Sequence, residues 1–318
     1  MIRTASARMT PARRRCRGVM AALLSMVAMI VAAPLSAGKA TATDAAPDTL
    51  EKIRETGVIR IGHRQSEPPF SYIVNEEPTG YSLELCSRIV DLMAERLNLP
   101  KIKIEYLVVS SATRFVMMRS GKIDMECAAT TNNAERRKMV AFSFPHFVTA
   151  TRFVSLKEAK IQKIADLAGR SVAATTGTVN LDQLNAINRE RGLNISILLN
   201  KENAEAFSMV TSGKASAFVM DDILLAGQIA AATNPEAYVL SQETFSRPEP
   251  YGILLPLGDT AFKEAVNESI RTIYASGEIY RMYEKWFEQP IPPKGQNMKL
   301  PMSPELRAVF DTPEEYKE

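Results

Sequence analysis

Apolar and polar positions follow two rhythms along this chain, and the switches between them mark its elements. Residues 58–62 alternate and end on a glycine, which predicts a short strand. Pro68 and Pro69 then break regular structure. From Gly80 the period changes: Leu85, Ile89, Leu92, Met93 and Leu97 recur at helical spacing, predicting a helix that stops before Pro100. The β-branched segment 102–109 predicts the next strand, 113–119 a short helix and 123–129 a third strand. Strands and helices in alternation predict an α/β unit with a largely parallel sheet.

The succession then recurs in new sequence. Strands are predicted at 171–174, 195–199, 217–220 and 238–240, with helices at 164–167, 179–191, 204–211 and 223–232 between them. Two apolar segments, 147–154 and 251–255, lie at the seams between the units. A long helix is predicted at 260–287, with Phe262, Val266, Ile270, Ile273, Met282, Trp286 and Phe287 as its apolar face. The tail, with Pro290, Pro292 and Pro293, reads as an extended arm. One α/β unit is thus inserted into another: residues 43–148 with 252–318 form the first lobe, residues 149–251 the second, and two crossing strands the hinge. Ligands of open α/β sheets bind at the carboxyl ends of the strands, so a cleft between the lobes is the expected site.

Charge changes the picture at the amino terminus. The whole chain carries 39 Lys and Arg against 36 Asp and Glu, a formal +3. Seven of those basic residues and no acidic ones fall within residues 1–42. Arg3, Arg8, Arg13, Arg14, Arg15 and Arg17 precede an apolar run of 15 residues at 19–33, and Ala40-Thr41-Ala42 follows as a small-residue cleavage site. These are the parts of a secretory signal peptide, and the run is short of the ~20 residues that span a bilayer. Without residues 1–42 the balance is 32 basic against 36 acidic, about −4, and the electrostatic argument for nucleic-acid binding is gone. A soluble, exported monomer is the expectation.

Two cysteines remain beyond the leader, Cys86 and Cys127. An oxidising compartment permits a disulfide between them, and a pair of buried thiols fits the sequence equally well. Two histidines, and no Gly-rich phosphate loop, nucleophile elbow or metal-ligand spacing, give no reason to expect a metal or cofactor.

The stretch from Thr130 to Arg136 carries the most chemistry. A strand end supplies Thr130 and Thr131, and Asn132 or Asn133 is placed to cap the helix that follows. Arg136 lies about one turn in, where a forked guanidinium beside free amides suits a carboxylate; a solvated surface arginine is the plainer reading. Asp221 ends a strand of the second unit, either as a helix cap or as a site residue.

Taken with the stretches 57–64, 69–72, 80–81, 124–127, 142–143, 176–178, 217–222, 224–227, 251–252, 285–287 and 290–294, this segment resembles the periplasmic solute-binding proteins of amino-acid ABC transporters, family 3. It is similar in particular to members that bind glutamate and aspartate, from about residue 48 to residue 298. The resemblance implies a two-lobed type II periplasmic-binding-protein fold with a two-strand hinge, an amino-acid ligand and a membrane permease as partner. It implies that Arg136, helped by Thr131, holds the α-carboxylate and that Asp221 accepts from the α-ammonium. Arg64 and Arg114, with Ser111 nearby, match the positions that meet an acidic side chain. Ala129, Thr178 and Asn203 complete the implied site. Ala129 stands where the acidic binders carry a serine, Val179 beside Thr178 where they carry a threonine, and Asn203 where they carry a histidine. Each lost donor costs about 0.5–1.5 kcal/mol unless water replaces it. A rival reading is a cyclohexadienyl-dehydratase-like enzyme on the same scaffold, for which Glu126, Glu135, His63 and His146 are the available acid–base groups.

Overall fold

A computed structural model describes residues 48–317. The predicted leader, residues 1–42, lies outside them. Within the described residues the chain builds two five-stranded sheets of matching design. In the first, Lys103–Val108, Val58–His63 and Met125–Glu126 run parallel, and Leu254–Leu255 and Ala141–Phe142 complete the order. In the second, Ser196–Asn200, Ser171–Thr175 and Ala217–Asp221 run parallel, followed by Thr151–Leu156 and Tyr238–Leu240.

The expectation of largely parallel sheets needs correcting, because Leu254 pairs antiparallel with Glu126 and Thr151–Leu156 pairs antiparallel with Ala217–Asp221. The cause is the route of the chain. Between the two sheets, Phe147–Thr149 and Glu249–Tyr251 pair antiparallel as a two-strand connection. The strand just beyond each crossing enters its sheet from the connection side, so it runs against the parallel strands it joins.

Helix Tyr81–Arg96 buries Leu85, Cys86, Ile89, Val90 and Met93 on one face, the face its periodicity predicts. Beneath the crossing, Phe70 meets Phe147 and Tyr251 edge-on, at centroid separations of 4.9 and 5.3 Å, and Phe147 stacks on Phe287 at 5.1 Å. Rings from four separate stretches of chain thus brace the hinge side of the first lobe. Cys86 and Cys127 are joined in a disulfide, tying this helix to the end of strand Met125–Glu126.

Other departures have local causes. The predicted strand 123–129 shortens to Met125–Glu126, because the chain beyond it turns outward to the space between the lobes. Around Pro68 and Pro69, where no regular structure is predicted, Ser66–Glu67, Ser71–Val74 and Glu77–Thr79 form a small antiparallel sheet. The long helix breaks at Gly277, whose φ of 75° takes the left-handed conformation that ends helices. The tail is no plain extended arm: Pro304–Asp311 is a helix capped by Ser303, with Leu306 and Phe310 buried one turn apart and Phe310 against Tyr274.

Candidate ligand-binding site

The parallel strands of both sheets end toward one cavity, where loops and helix starts present side chains. Arg64 follows strand Val58–His63; Ser111 and Arg114 follow Lys103–Val108; Ala129 and Thr131 follow Met125–Glu126. Arg136 sits in helix Ala134–Arg137, which Asn133 caps by accepting from the backbone N–H of Arg136 at 2.9 Å. From the second lobe, Thr178 follows Ser171–Thr175, Asn203 opens the helix after Ser196–Asn200, and Asp221 ends Ala217–Asp221. A small cavity lies among them.

Seven of the nine sequence-derived candidates line it: Ser111, Arg114, Ala129, Thr131, Arg136, Thr178 and Asp221. Arg64 and Asn203 do not. Arg64 is fully buried behind the wall, donating to Ser111 Oγ at 2.8 Å, to Glu67, and across the lobes to Glu202 at 3.3 Å. Asn203 accepts from the Thr175 hydroxyl at 2.8 Å and so supports the strand behind the cavity. The Thr178 hydroxyl accepts from the Leu181 N–H at 3.2 Å, making it the cap of helix Val179–Glu190.

Two buried guanidiniums define the first-lobe side. Arg114 and Arg136 both lie over the ring of Phe115, at 5.0 and 5.2 Å, and both reach toward the carbonyl of Gly177 across the lobes, at 3.4 and 3.5 Å. Among the described residues neither has a carboxylate within 4 Å, and Arg114 Nε is buried without a hydrogen-bond partner. Burial and the neighbouring Arg114 pull the Arg136 pKa down to about 9, which leaves it charged at neutral pH. Glu126, buried beside them, accepts from the Thr130 hydroxyl at both oxygens, and burial raises its pKa.

Asp221 faces them from the second lobe. It heads helix Asp222–Ala231, yet its side chain makes no capping bond. It accepts instead from Tyr251 Oη at 2.5 Å and from Asn180 Nδ2 at 2.7 Å. Burial raises its pKa to about 6 against the pull of those two donors.

Three site residues escape a reading of the sequence. Glu67 lies on the cavity wall, one oxygen on Arg64 and the other accepting from the Ala129 N–H at 3.3 Å. Burial pushes its pKa up to about 7, against Arg64 and Arg114. Asn180 lies in the first helical turn beyond Thr178, and Tyr251 on the crossing strand. Glu67 gives no periodic signal, being an acidic residue beside two prolines; Asn180 follows the stretch 176–178 and Tyr251 belongs to the stretch 251–252, but residue type and spacing give neither a role.

Of the acid–base candidates, Glu126 lies beside the two guanidiniums and His63 contacts the Arg64 carbonyl through Nδ1 at 3.1 Å, while Glu135 and His146 are committed elsewhere. Glu135 pairs with Lys138 on the surface. His146 Nε2 contacts Ser82 Oγ at 3.1 Å beneath the crossing, and burial lowers its pKa to about 4.

Comparison with known proteins places this geometry. The model of bacterial extracellular solute-binding proteins, family 3, matches residues 59–289. The chain is 42% identical to an L-glutamate/L-aspartate-binding protein of Pseudomonas aeruginosa, over 91% of this chain and 94% of that one. It is 40% identical to a glutamate/aspartate import solute-binding protein of Escherichia coli, over 89% and 95%. Among solved structures, an ancestral amino acid-binding protein described as a precursor of cyclohexadienyl dehydratase aligns with a TM-score of 0.66 at 26% identity, over 76% of this chain and 100% of that one.

Proposed function

Because the chain belongs to the bacterial extracellular solute-binding proteins of family 3, we propose that it captures an acidic amino acid between its lobes in the periplasm and delivers it to an ABC-transporter permease. Its fold is the two-lobed type II architecture of periplasmic binding proteins. Its relatives are named as binding proteins, and it is a binding protein rather than an enzyme. Export by a signal peptide spanning residues 1–42 and action as a monomer belong to the same proposal, as do lobes bounded at 43–148 with 252–318 and at 149–251.

One observation carries the reading. Arg114 and Arg136, buried on one lobe with no carboxylate within 4 Å among the described residues, face the ionisable Asp221 of the other across that cavity. Buried guanidiniums with no carboxylate in direct contact are costly, and a carboxylate placed between them answers that cost with charge-assisted bonds. Arg136 and Thr131 take the α-carboxylate. Asp221, held by Tyr251 and Asn180, takes the α-ammonium. Arg114 and Ser111 remain for the side chain, and the relatives' names point to an acidic one. Because the two charges sit on different lobes, only the closed form satisfies both ends of a zwitterion, and ligand shifts the population toward closure.

Calorimetric titration of the purified protein with glutamate, aspartate, glutamine and a neutral aliphatic amino acid tests this. Glutamate or aspartate is expected to bind more tightly than the aliphatic one. Absence of binding to all four rejects the amino-acid reading.

A further inference from the structure

With the α-groups assigned to Arg136 and Asp221, the wall formed by Glu67, Ser111, Arg114 and Ala129 is left for the ligand's side chain. That wall already holds a carboxyl group. Glu67 is 2% exposed, and it occupies Arg64 with one oxygen and the Ala129 N–H with the other. Arg64 also donates to Ser111 and to Glu202 of the second lobe, its Nε being buried without a hydrogen-bond partner. Arg64 and the Ala129 N–H are therefore committed to the protein's own glutamate, and Arg114 is the cation left facing both, with the Ser111 hydroxyl beside it.

The surroundings of Glu67 decide what a second carboxylate meets there. Arg64 faces it from the loop after the first strand, Arg114 from its helix, Glu126 from the central strand and Tyr251 from the crossing strand. Glu202 lies on the far side of Arg64, and helix Asp222–Ala231 turns Leu224 and Gln228 toward this segment. The buried charges around the cavity are Arg64, Arg114 and Arg136 against Glu67, Glu126 and Asp221. With all ionised they balance, which suits a zwitterion with a neutral side chain. A side-chain carboxylate adds one uncompensated negative charge beside Glu67, and two buried carboxylates that share cations do not both ionise.

We propose that Glu67 is a specificity-determining residue that admits an acidic side chain only with one proton shared between the two carboxyl groups. Binding of glutamate then takes up one proton from solvent, whereas binding of glutamine takes up none. The inference rests on the amino-acid reading above. Burial has already raised the Glu67 pKa to about 7, so the proton is within reach near neutrality.

Calorimetry of the full chain with glutamate and with glutamine, from below to above neutral pH and in two buffers of different ionisation enthalpy, reads the proton directly. Glutamate is expected to bind with uptake of about one proton above neutrality and to weaken about tenfold per pH unit there, while glutamine shows neither effect. In Glu67→Gln the uptake and the slope for glutamate disappear. Glutamate bound without proton uptake and with flat affinity overturns the inference, as does a slope that survives Glu67→Gln. Binding of glutamine alone at every pH also overturns it, since Glu67 then excludes acids outright. If the variant fails to fold, the contrast between the two ligands in the unaltered protein decides the matter. Absence of any amino-acid binding removes the underlying reading and this inference with it.

Discussion

Asp221 and Arg136 differ from ordinary surface charges in where their bonds go. A strand-end aspartate ahead of a helix is usually a cap, but the Asp221 carboxylate turns from the helix amides to Tyr251 and Asn180. Its raised pKa fixes the sign of a pH effect. Only the ionised form pairs with an ammonium, so protonation competes with ligand, and affinity for every amino acid should fall as pH drops below about 6. Titrations with glutamine at stepwise lower pH check this, and unchanged affinity well below that value contradicts the role given to Asp221. Arg136→Ala removes one member of a buried charge pair and should cost about 2–5 kcal/mol of binding for any amino acid, measured by calorimetry. Arg114→Ala should instead fall hardest on acidic ligands, and equal losses for acidic and neutral ligands would contradict that division of roles. The seven candidates that line the cavity were legible because they lie at strand ends or helix starts within recognisable segments. Glu67 was not, since its importance comes from a fold-back that brings it beside Arg64 and Ala129.

At the scale of elements, the apolar periods located most of the longer helices and strands, though not helix Thr49–Thr56, because burying one face is what forms them. The misses occur where a long-range partner decides. The helix Pro304–Asp311 has only Leu306 and Phe310 to bury and forms against Tyr274 and Tyr280. The sheet around Pro68 depends on strand pairing that no periodicity reveals. The disulfide is another such case, since composition left Cys86 and Cys127 either joined or free. It ties helix Tyr81–Arg96 to the segment leading into Ala129 and Thr131, closing a sequence separation of 41 residues. Loop-closure entropy puts its contribution at about 4 kcal/mol. Denaturant unfolding with and without reductant should show a loss of that order, with ligand affinity falling as the site segment loosens. Equal unfolding midpoints in the two conditions contradict the estimate.

The whole molecule closes on two points where backbone of one lobe meets a glycine of the other. A Cβ on Gly227 would lie 2.2 Å from the Pro68 carbonyl oxygen, and one on Gly177 would lie 2.7 Å from Ala112 Cα. Gly227 is the cleaner test, because it lies within helix Asp222–Ala231, where alanine is intrinsically favoured over glycine by about 1 kcal/mol. Gly227→Ala should therefore leave unfolding stability unchanged or higher while weakening ligand about tenfold or more, with scattering showing a more open average shape. Retained affinity with an unchanged scattering profile contradicts a glycine-dependent closure.

Taken alone, the chain's own pattern determined two α/β units, their nested order, the helix starts that bear Arg114 and Arg136, the strand end that bears Asp221, and the resemblance that gives them a purpose. Such features are written in local periodicity and in residue types at fixed spacing. Tertiary structure alone decided that Arg64 serves Glu67 and Glu202 rather than the cavity, that Asn203 stands behind it, and that Cys86 meets Cys127. Each of these joins residues distant in sequence or brought together by a reversal of the chain, and only the folded backbone sets such distances.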